Sequence, residues 1–264
     1  MSNSNSQWLI SILLAVGLAG GAWYFWTMRD APLPEVIPVR AVPADEKPAS
    51  PRYPLLQSLQ RSDAQDLVPL PALDDSDKYF ELALVDLFGI DIGTLLVDEM
   101  LIEKSVTSID NLTRRHAAER MRPLGSVPGP FLADTRDTAD EYTLSPDNYS
   151  RYDFLVEMLV NADADNLVET YRRFYPLLQG AYENLGYPDG YLNDRVVAVI
   201  DHLLETPQLD NPILLVRPHV LYEYANPSLE ALSSGQKLLI RMGDKNATQV
   251  RQALAELRVY LVAR

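Results

Sequence analysis

Apolar positions along this chain change their spacing three times, and each change marks a different physical regime. From 8 to 26 runs WLISILLAVGLAGGAWYFW without a charge. At 1.5 Å per residue, about 19 residues give roughly 28 Å, close to the thickness of a bilayer's hydrocarbon core. The run predicts one transmembrane helix at 8–28 behind a polar tail at 1–7. Trp8 would anchor one interface and Trp23, Tyr24 and Trp26 the other, where amphipathic rings prefer to sit. From 29 to 71 the pattern dissolves, with prolines at 32, 34, 38, 43, 48, 51, 54, 69 and 71 among acidic and small residues. Proline removes the donors that helix and sheet require, so this stretch reads as an extended, acidic, Pro-rich tether. Within it LLQSLQRSDAQDL, at 55–67, is amphipathic enough for a transient helix.

From 72 onward apolar residues recur every three or four positions, the period of a half-buried helix. In LPALDDSD, Asp74, Asp75 or Ser76 can cap a helix that ends at Gly89. A long helical pattern follows Gly93 through LLVDEMLIEKSVTSIDNLTRRHAAERM to Pro123, with a break expected at 105–108. FLADTRD and DEYTLS read as a short polar hairpin apart from the core, and Ser145 before Pro146 as a capped helix start. DNYSRYDFLVEMLV and DNLVETYRRFYPLLQGAYENLG predict two antiparallel helices that turn at NADAD. Val196, Val199, Ile200, Leu203 and Leu204 form the apolar stripe of another helix. PILLVRPHVLYEYA favours extended chain broken at Pro218. SLEALSSGQKLLIRM and NATQVRQALAELRVYLVA close the chain as helices, the last with Val250, Leu254, Leu257 and Leu261 on one stripe. The fold class expected is mainly α with minor β: a globular helical domain at 72–264 carrying a short β-hairpin.

Charge narrows the partners. The formal net charge is -14, from 37 acidic and 23 basic side chains, which repels phosphate backbones and excludes nucleic acid as a partner. Cysteine is absent, so disulfides, thiolate nucleophiles and cysteine metal sites are excluded, leaving His116, His202 and His219 as the imidazoles. The charges flanking 8–28 nearly balance, the α-amino group against Arg29 with Asp30. A short polar tail before a large acidic domain is the layout of a bacterial inner-membrane anchor, with the soluble domain in the periplasm. A cleaved signal peptide fits less well, because MSNSNSQ has no lysine or arginine and the apolar run continues through aromatics. Gly17 and Gly21 form a GxxxG spacing through which two copies can pair as a homodimer.

Candidate chemistry is sparse. Arg115, Arg120 and Arg122 surround His116, a combination suited to carboxylate or phosphate; the plainer reading is a core histidine among ordinary ion pairs. Arg172, Arg173 and Tyr175, in YRRFYP, could present cations and rings to a peptide or glycan, or be half-buried core. Asp201, His202 and Glu205 share one turn, yet His202 lies about 100° around the helix from Asp201, which suits a solvated face better than a metal site. Asp163 and Asp165 begin like a calcium loop, but Phe174 stands where its bidentate glutamate belongs, so they read as caps. No cofactor or metal is expected, and no catalytic residue is assigned.

The strings LPALDDSD, RHAAERMRPL, RYDFLVEMLVNAD, YRRFYPLLQGAYENLGYP, NDRVVAVIDHLLETP and LSSGQKLLIRMG together resemble the proteobacterial membrane-anchored proteins grouped as domain of unknown function 3014. The resemblance spans about residue 70 to the C-terminus. It implies a Gram-negative, single-pass architecture and brings no catalytic residue with it. Two functional readings stay open: a tethered, non-enzymatic module that binds or scaffolds a protein or cell-wall partner, and a hydrolase-type envelope enzyme using His116, His219 and carboxylates.

Overall fold

A computed structural model describes residues 50–55, 69–136 and 141–263. The transmembrane helix expected at 8–28, with its aromatic anchors, lies outside these residues, as does the tether except for 50–55 and 69–71. Among the described residues no helix is long and apolar enough to cross a membrane.

The helices are α1 (Asp77–Phe88), α2 (Leu101–Asn111), α3 (Asp153–Asn161), α4 (Ala164–Asn184), α5 (Leu192–Leu204), α6 (Pro227–Glu230), α7 (Ser234–Arg241) and α8 (Gly243–Val262). Four short strands are inserted: β1 (Ala133–Thr135), β2 (Glu141–Leu144), β3 (Leu214–Val216) and β4 (Glu223–Tyr224). The protein is mainly helical with one small antiparallel sheet in the order β1-β2-β3-β4.

The main core follows from helix periodicity. Leu101, Ile102 and Val106 of α2 meet Phe80 of α1, Phe174, Leu178 and Tyr182 of α4, and Leu192 of α5. The Phe80 and Phe174 rings tilt together at 5.1 Å. Fully burying a ring of this kind contributes about 1.5–3 kcal/mol. The stripe expected on α5 is buried as well, with Val199 and Leu203 against Leu239 of α7 and Ala247 of α8. Leu254 and Leu257 of α8 complete the packing around Val197, Ile200 and Leu261.

Several local expectations are corrected. The long helix after Gly93 is only 11 residues, Leu101–Asn111. It does not break at 105–108; both flanks are taken by other pairings. Val97 N–H donates to Pro123 O at 3.0 Å and Gly125 N–H to Leu95 O at 2.8 Å, so 95–97 and 123–125 run side by side. Asp77, first residue of α1, caps α2 from outside by accepting from the N–H groups of Met100 (2.8 Å) and Leu101 (2.7 Å). These bonds hold Met100 at φ 58°, a left-handed conformation unfavourable for a side chain of this size.

The expected hairpin exists, with Ala133 opposite Leu144 and Thr135 opposite Tyr142. It is not set apart from the core, because β2 also pairs with β3, Tyr142 opposite Leu215. Strand alternation then puts Leu144, Leu215 and Tyr224 on one face, buried against Ile240 of α7. Ser145 precedes a 3-10 helix, Pro146–Tyr152, but its side chain makes no cap bond. SLEALSSGQKLLIRM is two helices, because Ser233 forms a capping box with Gln236 and restarts the chain as α7. The NADAD turn is as expected: Asp163 caps α4 by accepting from Asn166 N–H at 2.9 Å.

Residues 50–55 dock on the domain. Asp194 accepts from the N–H groups of Arg52 (2.9 Å) and Tyr53 (2.8 Å), and Asn193 Nδ2 donates to the carbonyls of Tyr53 and Leu261. Tyr53 and Leu55 pack on the α5–α8 cluster, fixing where the Pro-rich segment reaches the helices.

Candidate functional site: a pinned arginine loop

Beyond the last turn of α2 the chain leaves the surface as TRRHAAERMRP, four arginines and one glutamate within a chain of net charge -14. Arg114, Arg115, His116, Arg120 and Arg122 are all exposed. His116 is therefore not a core histidine; the helix ends at Asn111, before Leu112 could bring it onto a buried face.

The loop is exposed but held at both ends. Ser234 N–H donates to Arg114 O at 2.7 Å and Gly235 N–H to Leu112 O at 2.9 Å, so the start of α7 receives the end of α2. Ser234 Oγ also donates to Asn111 O at 2.8 Å. At the far end, Ser108 Oγ donates to Met121 O at 2.8 Å, and the 95–97 pairing holds Pro123. A single 3-10 turn, Glu119–Met121, lies between. The Arg122–Glu119 ion pair at 3.4 Å is exposed on both sides and contributes about 0–1 kcal/mol.

At the base of the loop sits Asp110, 1% exposed. Its Oδ1 accepts from Arg195 Nε at 2.8 Å, and its Oδ2 from Arg114 Nη2 at 2.6 Å and the Tyr187 hydroxyl at 3.3 Å. Arg195 Nη2 donates further to Asp110 O (2.9 Å) and Thr113 Oγ1 (2.5 Å). Two guanidiniums on one carboxylate leave a net positive charge. Arg195 is largely enclosed and Arg114 is half exposed, so that charge faces water beside Arg115 and His116. The hydrogen bond and charge of Asp110 hold the Arg114 pKa above its ordinary value. Tyr187 is oriented in turn by stacking on Tyr182, centroids 4.7 Å apart.

The loop's charge also reaches the neighbouring helices. Burial pushes the Glu230 carboxyl up, but hydrogen bonds from Lys237 and Tyr224 N–H, with the charges of Lys237 and Arg115, outweigh it and leave the pKa lowered.

The sequence candidates do not form one cluster on a single element. Arg115, His116, Arg120 and Arg122 share this loop, whereas Arg172, Arg173 and Tyr175 lie on α4. Tyr175 turns inward, its hydroxyl donating to Gln179 Oε1 at 3.1 Å. Arg172 is half-buried with an Nε that has no partner, and Arg173 lies over the Phe174 ring at 5.8 Å. Asp110, Arg114 and Arg195 escaped sequence reasoning. A signal was present: Ile102, Val106 and Asp110 fall at intervals of four, so an acid occupies the buried stripe, with Arg114 one turn further on.

His202 and Ser233 form a serine–imidazole contact, Nε2 to Oγ at 2.8 Å. Ser233 Oγ is also the cap acceptor for Gln236 N–H at 3.2 Å, and Asp201 is engaged with Arg258. Of the polar face expected on α5, His202 is tied to Ser233, whereas the Asp201 side chain is 43% exposed and Glu205 is exposed.

Fold and loop together define a helical domain, closed by a small antiparallel sheet, that presents a rigidly based cationic loop to solvent. Residues 101–258, more than half of the chain, match the family described as Protein of unknown function (DUF3014), and the chain belongs to that family. The match runs from the first residue of α2 into α8 and contains the loop and the whole Asp110 network. No curated protein and no solved structure matches the chain.

Proposed function

We propose that the protein is a non-enzymatic binding or scaffolding module, held at the bacterial inner membrane by residues 8–28, with its domain in the periplasm. Loop 114–122 recognises a protein or cell-wall partner that bears carboxylates. The observation that supports this most is the placement of Arg114, Arg115 and Arg120 on an exposed loop whose two ends are hydrogen-bonded to the helices. A pinned loop loses little entropy on binding, and guanidinium forks match carboxylates two bonds at a time. The test uses the full chain in its membrane, with a photocrosslinking residue at Ala118. Wild type is expected to give discrete adducts to acidic peptides or muropeptides, lost in the Arg115→Glu, Arg120→Glu double variant. Adducts that survive the double variant overturn the reading. An alkaline phosphatase fusion after Arg264 that is inactive outside the cytoplasm overturns the periplasmic placement.

The second reading, a hydrolase-type enzyme, is expected from the sequence to use His116, His219 and carboxylates; the contact that could support one is instead Ser233–His202. A fluorophosphonate probe that labels Ser233 in wild type and fails in His202→Gln would favour it over the binding module.

A further inference from the structure

The end of α1 and one face of α3 leave a groove of mixed polar and apolar lining uncovered, with Glu157 and Asn161 beside the apolar side chains. Leu87 and Phe88 form one wall and Phe154, Met158 and Ala162 the other, enclosing about 230 Å³. Phe154 is 45% exposed. The volume is several times the roughly 30 Å³ of a water molecule, but below the roughly 300–1,000 Å³ of small-molecule pockets. A shallow groove between two helices suits the side-chain anchors of a third helix.

Charge selects the occupant. Glu157 lines the groove, and no lysine or arginine does. Asp86 and Asp91, flanking the α1 wall, are exposed. The ion pairs among the described residues leave Asp86 and Glu157 uncompensated. A second copy, itself strongly acidic, would meet like charge here. The chain's own amphipathic stretch at 55–67 carries two aspartates against one arginine, also the wrong sign.

We infer that the α1–α3 groove docks a cationic amphipathic helix of a partner protein. Its apolar anchors enter between Phe88 and Phe154, and its lysines or arginines face Glu157. This surface is separate from the arginine loop, and the inference stands on its own observations.

The probe is a pair of labelled helical peptides with leucines at i, i+3, i+4 and i+7, one filled with lysine and the other with glutamate, titrated by anisotropy against the full chain. The lysine peptide is expected to bind at least about tenfold more tightly than the glutamate one, with Phe154→Ser and Glu157→Lys each weakening it about tenfold. Glu205→Lys, an equal charge change at the exposed residue that follows α5, should leave binding unchanged, and all three variants are exposed positions whose folding is checked by circular dichroism. Equal loss with Glu205→Lys would mean attraction to net charge alone and overturns the inference. So does unchanged binding in both groove variants. A wild-type dimer in sedimentation that Phe154→Ser dissociates would assign the groove to a second copy and overturn it as well.

Discussion

Replacing Asp110 with alanine should be among the most costly single changes in the domain. The carboxylate is 1% exposed and is the acceptor for Arg195, Arg114 and Tyr187. Removing one partner of a buried ion pair costs about 3–5 kcal/mol, because the remaining charge stays behind without compensation. The two arginines do not share that cost equally. Arg114, with its side chain 54% exposed, can rehydrate, so its part falls to the scale of a surface pair. Arg195, at 26%, cannot do so fully, and it also keeps two donors aimed at Asp110 O and Thr113. The expected loss is therefore about 3 kcal/mol, a drop of roughly 100-fold in the folding constant. Urea denaturation of wild type and variant would read it as a midpoint shift of roughly 1–2 M at unchanged slope. A double replacement, Asp110→Leu with Arg195→Met, removes both buried charges and should regain at least half of the loss. A loss below about 1 kcal/mol for Asp110→Ala, or a double variant no better than the single, would refute the reasoning that a buried charge pair anchors the loop.

Gly243 opens α8 at φ 77°, with the Tyr149 ring 2.5 Å from where a Cβ would stand, so Gly243→Ala should lower the melting temperature by several degrees, about 2 kcal/mol or more of strain and displaced packing; calorimetry checks it. Asp194→Ala removes both acceptors that hold Arg52 and Tyr53, and amide exchange at Tyr53 should quicken about tenfold or more while the α2 amides keep their protection. Burial pushes the Tyr182 hydroxyl up to about 12. A neutral form favoured by folding means that this contribution is complete below the unfolded value near 10 and is lost as pH rises from about 10 toward 12, so tyrosinate absorbance should show a late-titrating set that includes Tyr171 and Tyr224, with its amplitude reduced by one group in Tyr182→Phe. Glu230 runs the other way: its lowered pKa gives stability above the ordinary glutamate range that disappears as pH falls through the folded value, and Glu230→Gln should flatten that acid limb of the stability curve.

Elements whose partners lie nearby were legible in the residues themselves. The α5 and α8 stripes, the Asp163 cap and the break at Pro218 each rest on local spacing or on one side chain's chemistry, and all are in the fold. Local pattern failed where a distant segment competed for the same backbone. Residues 95–100 have helical spacing, but Val97 N–H and Leu95 O are taken by the chain near 123–125, and Asp77 starts α2 only at Leu101. The hairpin at 133–144 was visible as a hairpin; that it joins a sheet depended on β3, some 70 residues onward, and strand pairing carries no local signature beyond alternation. The arginines of the candidate loop were readable as a cluster. What holds them was not, because Asp110 finds Tyr187 77 residues away and Arg195 85 residues away. Sequence determines which side chains can pair with charge and which faces of a helix are apolar, since both are properties of residues and spacing. Tertiary structure decides which acid is enclosed with which arginine and which groove is left uncovered, because those follow from the relative placement of helices that no local period encodes.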